Sequence, residues 1–171
     1  MDKNRRFEEI ALPHLSAAYN LARWLTRNDH DAEDMVQEAY LRAFKFFDSF
    51  RGEEGRAWLL AIVRNTCYTW LKQNRVLELH DSFDEEAHAE ADSGSDPQAL
   101  MLQNADKQLL DLAIETLPLE FREILIMREL EDLSYKEIAA VAEVPIGTVM
   151  SRLARARNML RASLERIMQE R

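Results

Sequence analysis

The sequence predicts an all-α protein, on three observations. Glycine and proline number only four each in 171 residues, too few for the frequent turns of a sheet protein. Ala, Leu, Glu and Arg dominate, and they favour helix, as does Met. Apolar residues recur at three- and four-residue spacing along most of the chain, the period of a helix with one buried face. The net charge of −9 is unevenly spread, and this divides the chain into two small modules. Residues 1–75 carry 12 basic and 11 acidic side chains, residues 76–105 eight acidic and no basic ones, and residues 106–171 ten basic and 12 acidic.

In the first module, residues 4–27 place Phe7, Ile10, Leu15, Ala18, Leu21, Ala22 and Leu25 at helical spacing. Pro13 lacks a backbone donor and marks a kink or break there. Asp29 and Asp31 offer N-caps for a second helix to about Asp48, with Val36, Tyr40, Phe44 and Phe47 as its inner face. A loop, Ser49–Arg56, contains Gly52 and Gly55. A third helix, about Ala57–Arg75, turns Leu59, Ile62, Val63, Cys67, Trp70 and Leu71 mostly inward. Two stripes stand off this core: Arg42 with Phe46, and Arg64, Tyr68 and Lys72 with Asn65 beside them. Cations, aromatics and an amide in such rows suit a single-stranded nucleic acid with unstacked bases.

The stretch VLELHDSFDEEAHAEADSGSDP, residues 76–97, reads as an acidic flexible linker; an acidic solvated helix is the other reading. Its His80 and His88 have no ordinary metal-ligand spacing. The second module, 98–171, opens on a helix capped by Asp96 with Pro97 at its first position, running to about Thr116. Pro118 punctuates before FREILIMREL, and Ser134 with Glu137 spells a capping box for YKEIAAVA. Glu143-Val144-Pro145 is a short turn before a last helix from about Ile146 to Met168. Two short helices joined by about three residues are the geometry of a helix-turn-helix.

In the last helix Val149, Leu153, Ala156 and Leu160 share a buried face, leaving Thr148, Ser151, Arg152 and Arg155 outward. Four arginines and no acid lie between Pro145 and Ser163. Outward groups in the first turns, beside unpaired backbone donors, are what a recognition helix brings into a DNA major groove.

Other classes find little support. The lone Cys67 cannot form an intramolecular disulfide and reads as a core residue of a protein in a reducing compartment. No run approaches a membrane span, and MDKNRRFEE lacks the apolar segment of a signal peptide, so a cytoplasmic location without membrane insertion is expected. No phosphate-binding, zinc-protease or nucleophile–base pattern is present, and the four histidines are scattered. Neither enzymatic activity nor a cofactor or metal is expected.

The runs DAEDMVQEAYLRAFKFFDSFRG, AWLLAIVRNTCYTWLKQNR and LPLEFREILIMRELEDLSYKEIAAVAEVPIGTVMSRLARAR closely resemble the extracytoplasmic-function sigma factors, the smallest members of the sigma-70 family. The resemblance spans both modules in order and skips the linker. It implies a subunit of bacterial RNA polymerase whose first domain, 1–75, binds the polymerase clamp and helps melt the promoter −10 element, and whose second reads the −35 element as duplex. By position, Asp34, Gln37 and Glu38 fall in the clamp-binding stretch. Arg42, Phe46, Asn65 and the loop with Ser49, Phe50 and Arg51 match positions at the −10 strand. Met150, Ser151, Ala154 and Arg155 match the −35 reading face, with Thr148, Arg152 and Arg157 near phosphates or supporting the fold. Core RNA polymerase, promoter DNA and an anti-sigma factor are the partners implied.

Elements about 17 base pairs apart lie roughly 58 Å apart along the duplex. The linker could extend to roughly 75 Å, but a free chain of its length averages nearer 26 Å. The modules straddle both elements only when something holds them apart. The competing reading is a free-standing helix-turn-helix regulator, which would ordinarily need dimer symmetry and a sensor domain.

Overall fold

The computed structural model describes residues 2–52, 54–74 and 97–170, and among them the regular structure is helical, without a strand. Helix α1 (Lys3–Ala11) is capped by the Asp2 carboxylate, which accepts from the Arg5 amide at 2.8 Å. A 3-10 turn, Leu12–His14, holds Pro13 and leads into α2 (Leu15–Thr26), so the expected kink is a full break. The cap of α3 (Asp29–Lys45) is Asn28, whose side chain accepts from the Asp31 amide at 2.9 Å. Asp29 and Asp31, expected as caps, instead occupy the first turn, where the positive end of the helix dipole favours them. The helix stops at Lys45, and Phe47–Ser49 form a 3-10 turn.

Helix α4 (Gly55–Gln73) starts two residues before the expected point. Gly55 allows α4 to sit tight against α1, because a Cβ there would lie 2.9 Å from Ile10 Cγ2. Leu59, Val63 and Cys67 are buried on α4 as expected, while Ile62, Trp70 and Leu71 are half-buried and Leu60, not assigned inward from the pattern, is fully buried. Burial pushes the Cys67 thiol up to about 12, consistent with an inert packing residue. On α3 the buried residues are Ala32, Ala39 and Ala43, with Met35 and Val36. Tyr40 and Phe44 sit at the edge, half-buried. Tyr40 donates its hydroxyl to the Ala11 carbonyl at 2.7 Å, and Phe7 meets Phe44 and Phe47 edge-on at 5.3 and 5.4 Å between ring centres.

The second module holds α5 (Pro97–Glu115), α6 (Leu119–Leu125), a π-helical turn (Ile126–Leu130), α7 (Tyr135–Ala142) and α8 (Ile146–Gln169). Pro97 opens α5 as expected; the rest of the expected linker, with His80, His88 and the Asp96 cap, lies outside the described residues. The π turn is closed by the Leu133 amide on the Met127 carbonyl at 2.9 Å and by Arg128 on the Leu133 carbonyl at 2.9 Å. Glu143 adopts a left-handed conformation (φ 57°) that ends α7, and Pro145 starts α8.

The two modules pack against each other, α2 beside α6 and α4 beside α7. Their buried residues form one continuous apolar cluster, from Leu21, Leu60 and Val63 on one side to Phe121, Ile124 and Ile138 on the other. Among the described residues no helix is long and apolar enough to cross a membrane.

The capping box of α7 is complete: Ser134 Oγ accepts from the Glu137 amide at 3.0 Å and Glu137 accepts from the Ser134 amide at 2.9 Å. Ser134→Ala is expected to cost about 1 kcal/mol of stability, read as a lower urea midpoint at an unchanged slope; an unmoved midpoint would contradict the cap's role.

Candidate nucleic-acid interface

Helix α8 is held by Val149, Leu153 and Ala156, all buried against the module's core. This fixes which residues face outward. Met150, Ser151, Ala154, Arg155 and Arg157 are exposed, while Thr148 and Arg152 are half-buried. The amides of Thr148 and Val149 close on the Pro145 carbonyl, and the first turn has no side-chain cap. Its leading backbone donors therefore remain open to an anion.

The arginines of α8 are not equivalent. Arg157 is tied to Glu129 Oε1 at 2.6 and 2.9 Å, which fastens α8 to the π turn. Arg155 lies over the Phe121 ring, 5.0 Å from its centre. The charge of Arg152 acts on Glu123. Ser151 donates its hydroxyl to the Thr148 carbonyl at 3.2 Å.

On α3, Asp34, Gln37 and Glu38 are exposed together. Asp34 is 3.9 Å from His30, and Gln37 borders an open groove of about 630 Å³ lined by Phe7, Tyr40, Leu41 and Phe44. Arg42 reaches Glu38 at 2.9 Å and Thr66 at 3.4 Å. Phe46 is 56% exposed at the end of α3. The following loop brings Ser49 and Arg51 to the surface, while Phe50 packs on Trp58 at 4.7 Å and is half-buried. Gly52 takes a φ of 81°, a conformation that residues with a Cβ rarely adopt. Asn65 and Lys72 are exposed on α4.

The expected surface row Arg64–Tyr68–Lys72 needs correction. Arg64 and Tyr68 are turned into the junction between the modules, and Lys72 alone of the three is exposed. Arg64 Nε donates to Glu123 Oε1 at 2.8 Å, its guanidinium lies 4.1 Å from the Tyr68 ring centre, and the Tyr68 hydroxyl donates to Glu123 Oε2. Glu123 has no exposed surface. Burial pushes its carboxyl above the usual range, against the pull of Arg64 and Tyr68. Further out, Arg56 grips Glu137 with both ends of its guanidinium at 2.9–3.2 Å, Asn20 donates to Glu131 at 2.9 Å, and Arg122 donates to the Trp24 carbonyl at 2.9 Å.

Sequence reasoning had passed over Glu123, Glu131 and Glu137 as interface residues. A signal for Glu123 exists: its helical neighbours Leu119, Ile126 and Met127 are apolar, so a carboxylate there sits on a buried face.

Structurally, this is a two-module helical protein whose second module is a helix-turn-helix and whose first carries exposed aromatic and cationic side chains at a helix end. Two family models match the modules in order: Sigma-70 region 2 over residues 10–76 and Sigma-70, region 4 over residues 107–160. The ECF RNA polymerase sigma-E factor of Escherichia coli K12 is 39% identical over 137 residues, covering 76% of this chain and 72% of that one. The ECF RNA polymerase sigma factor SigE of Mycolicibacterium smegmatis is 31% identical over 160 residues, covering 91% and 60%. The sigma factor RpoE of Bartonella quintana, solved with the anti-sigma factor NepR, superposes with a TM-score of 0.70 at 30% identity, covering 94% of this chain and 98% of that one. CnrH, solved with the cytosolic domain of CnrY, shares the fold at TM-score 0.65 and 24% identity, covering 95% and 89%. The chain belongs to the extracytoplasmic-function sigma factors of the sigma-70 family. This sets aside the free-standing regulator.

Partial burial works to raise the Glu137 carboxyl, but the Ser134 amide and Arg56 outweigh it and hold it below the usual range. A carboxyl depressed in the folded state stabilises above its ordinary value and loses that contribution as pH falls through the depressed one. Stability should therefore decline below about pH 4.3, and Glu137→Gln should flatten part of that decline in a urea series across pH; an identical profile for the variant would remove Glu137 from the account.

Proposed function

We propose that this sigma factor divides its work as its two modules suggest, acting in the cytoplasm with core RNA polymerase. Residues 1–75 bind the polymerase clamp through Asp34, Gln37 and Glu38 on α3. The same module holds melted −10 DNA with Arg42, Phe46, Asn65 and Lys72, and with Ser49, Phe50 and Arg51 of the loop. Residues 98–171 read duplex −35 DNA with α8, where Met150, Ser151, Ala154 and Arg155 face the bases and Thr148, Arg152 and Arg157 lie near phosphates. The acidic segment 76–97 links them.

The observation that carries this reading is the exposed face of α8, set on a helix-turn-helix with an uncapped first turn. Support at the other end comes from Phe46, an exposed ring one turn beyond Arg42, where base stacking and a phosphate contact fall together.

Arg64 and Tyr68 belong to the proposed −10 set, yet here they are bonded to Glu123 of the other module. The free chain therefore withholds part of its DNA surface, and a carboxylate stands where a phosphate oxygen would stand. Docking on polymerase parts the modules and frees both side chains. RpoE and CnrH were each solved with an anti-sigma or cytosolic partner domain; we extend to this chain an anti-sigma factor that stabilises the closed arrangement.

Run-off transcription from a pool of promoter fragments tests this. Specific transcripts should require both core polymerase and this protein, and share two upstream elements. Arg155→Ala should weaken use of the −35 element by about 1–3 kcal/mol if the guanidinium makes a paired base contact; an unchanged promoter preference would refute base reading by Arg155.

A further inference from the structure

Along α8, Ile146, Met150 and Ala154 recur at intervals of four and form one stripe on the outward side. Ile146 is 45% and Met150 53% exposed, and Ala154 is exposed beside them. The stripe is not part of the core, which is taken by Val149, Leu153 and Ala156. Around it, Arg157 is bonded to Glu129, the Arg155 guanidinium lies over the Phe121 ring and the Ser151 hydroxyl donates to the Thr148 carbonyl. Gly147, between Ile146 and Thr148, has nothing within 4 Å of where a Cβ would sit, so the backbone there can approach a groove wall closely.

An apolar stripe facing a major groove has one apolar group to meet, the C5-methyl of thymine. A thioether cannot make the paired hydrogen bonds by which arginine or lysine reads guanine, and pressing it on the polar edge of a G·C pair removes water without replacement. Methionine is also flexible enough to follow a methyl among neighbouring polar edges. Met150 and Ala154 are about 6 Å apart along the axis, close to the rise of two base-pair steps.

We propose that Met150 and Ala154, with Ile146 at the entrance, are specificity-determining residues that make this sigma factor read thymine methyl groups in its −35 element. The inference rests on α8 entering the major groove. It predicts thymines at the −35 positions facing Met150 and Ala154.

The direct test uses a promoter recovered from the fragment pool, assembled with holoenzyme of core polymerase and the full chain. Deoxyuridine replaces thymidine at single −35 positions, which removes the methyl and leaves pairing intact. Holoenzyme binding should fall about fourfold for each methyl lost at a facing position. Met150→Ala, at an exposed site, should abolish the penalty at one position and keep it at the others, and Met150→Arg should shift that position towards guanine. A −35 element without thymines there, or deoxyuridine without effect while Arg155→Ala still disturbs −35 use, overturns methyl reading and leaves base reading by α8 intact. If Met150→Ala, Met150→Arg and Arg155→Ala all leave −35 preference unchanged, α8 does not read bases and both proposals fall.

Discussion

The closed arrangement depends on one buried carboxylate. Glu123 has no exposed surface, and in an apolar setting an uncompensated charge of that kind would cost several kcal/mol. It is tolerated because Arg64 and Tyr68 reach it from the other module. The hydrogen bonds that Glu123 accepts from side chains both come from α4, so the group ties α4 to the second module. Such a pair adds little net stability, since desolvation cancels much of the attraction, but it is selective. The outer contacts, Arg56 with Glu137 and Asn20 with Glu131, are at least partly solvated, and exposed pairs of this sort contribute about 0–1 kcal/mol. A junction of this composition is specific when closed and inexpensive to open once water, polymerase or phosphate supplies replacement partners.

That balance suits the two states proposed above, with the modules together in the free chain and apart on polymerase. The apolar part of the junction favours closure, and the polar part determines which groups are covered. What is covered includes Arg64 and Tyr68, but Phe46, Asn65 and the outward face of α8 stay exposed. Closure thus removes part of the proposed −10 surface and leaves the −35 face accessible in outline.

Much of the fold was legible because it is local. The capping box at Ser134, the turn at Glu143–Pro145, the break at Pro13 and the buried face of α8 all follow from residues within one or two turns. The cap of α3 falls one residue before Asp29 and three before Asp31, because Asn28, Asp29 and Asp31 are all good caps and the chain leaves α2 through Arg27 in a left-handed conformation, which the local pattern does not show. Phe50, expected in the loop that meets the −10 strand, is half-buried there against Trp58, a long-range contact that the local pattern does not show. The main misreading concerned Arg64 and Tyr68. Periodicity identifies the face a helix turns to its own module, and α4 has a second covered face towards the other one. Polar residues on that face look like solvent-facing residues until their partner, Glu123, more than fifty positions away, is in place.

The central claim is that the free chain is closed through Glu123 and that polymerase opens it. Distance measurement by fluorescence energy transfer tests this most directly, with dyes on cysteines placed at the exposed positions Ser16 and Ala162 and the buried Cys67 left unlabelled. The account predicts one short distance for the free chain, a longer one in holoenzyme, and a mixture in the free Glu123→Ala variant. A free wild-type chain as extended as the holoenzyme, or a holoenzyme as closed as the free chain, would contradict it.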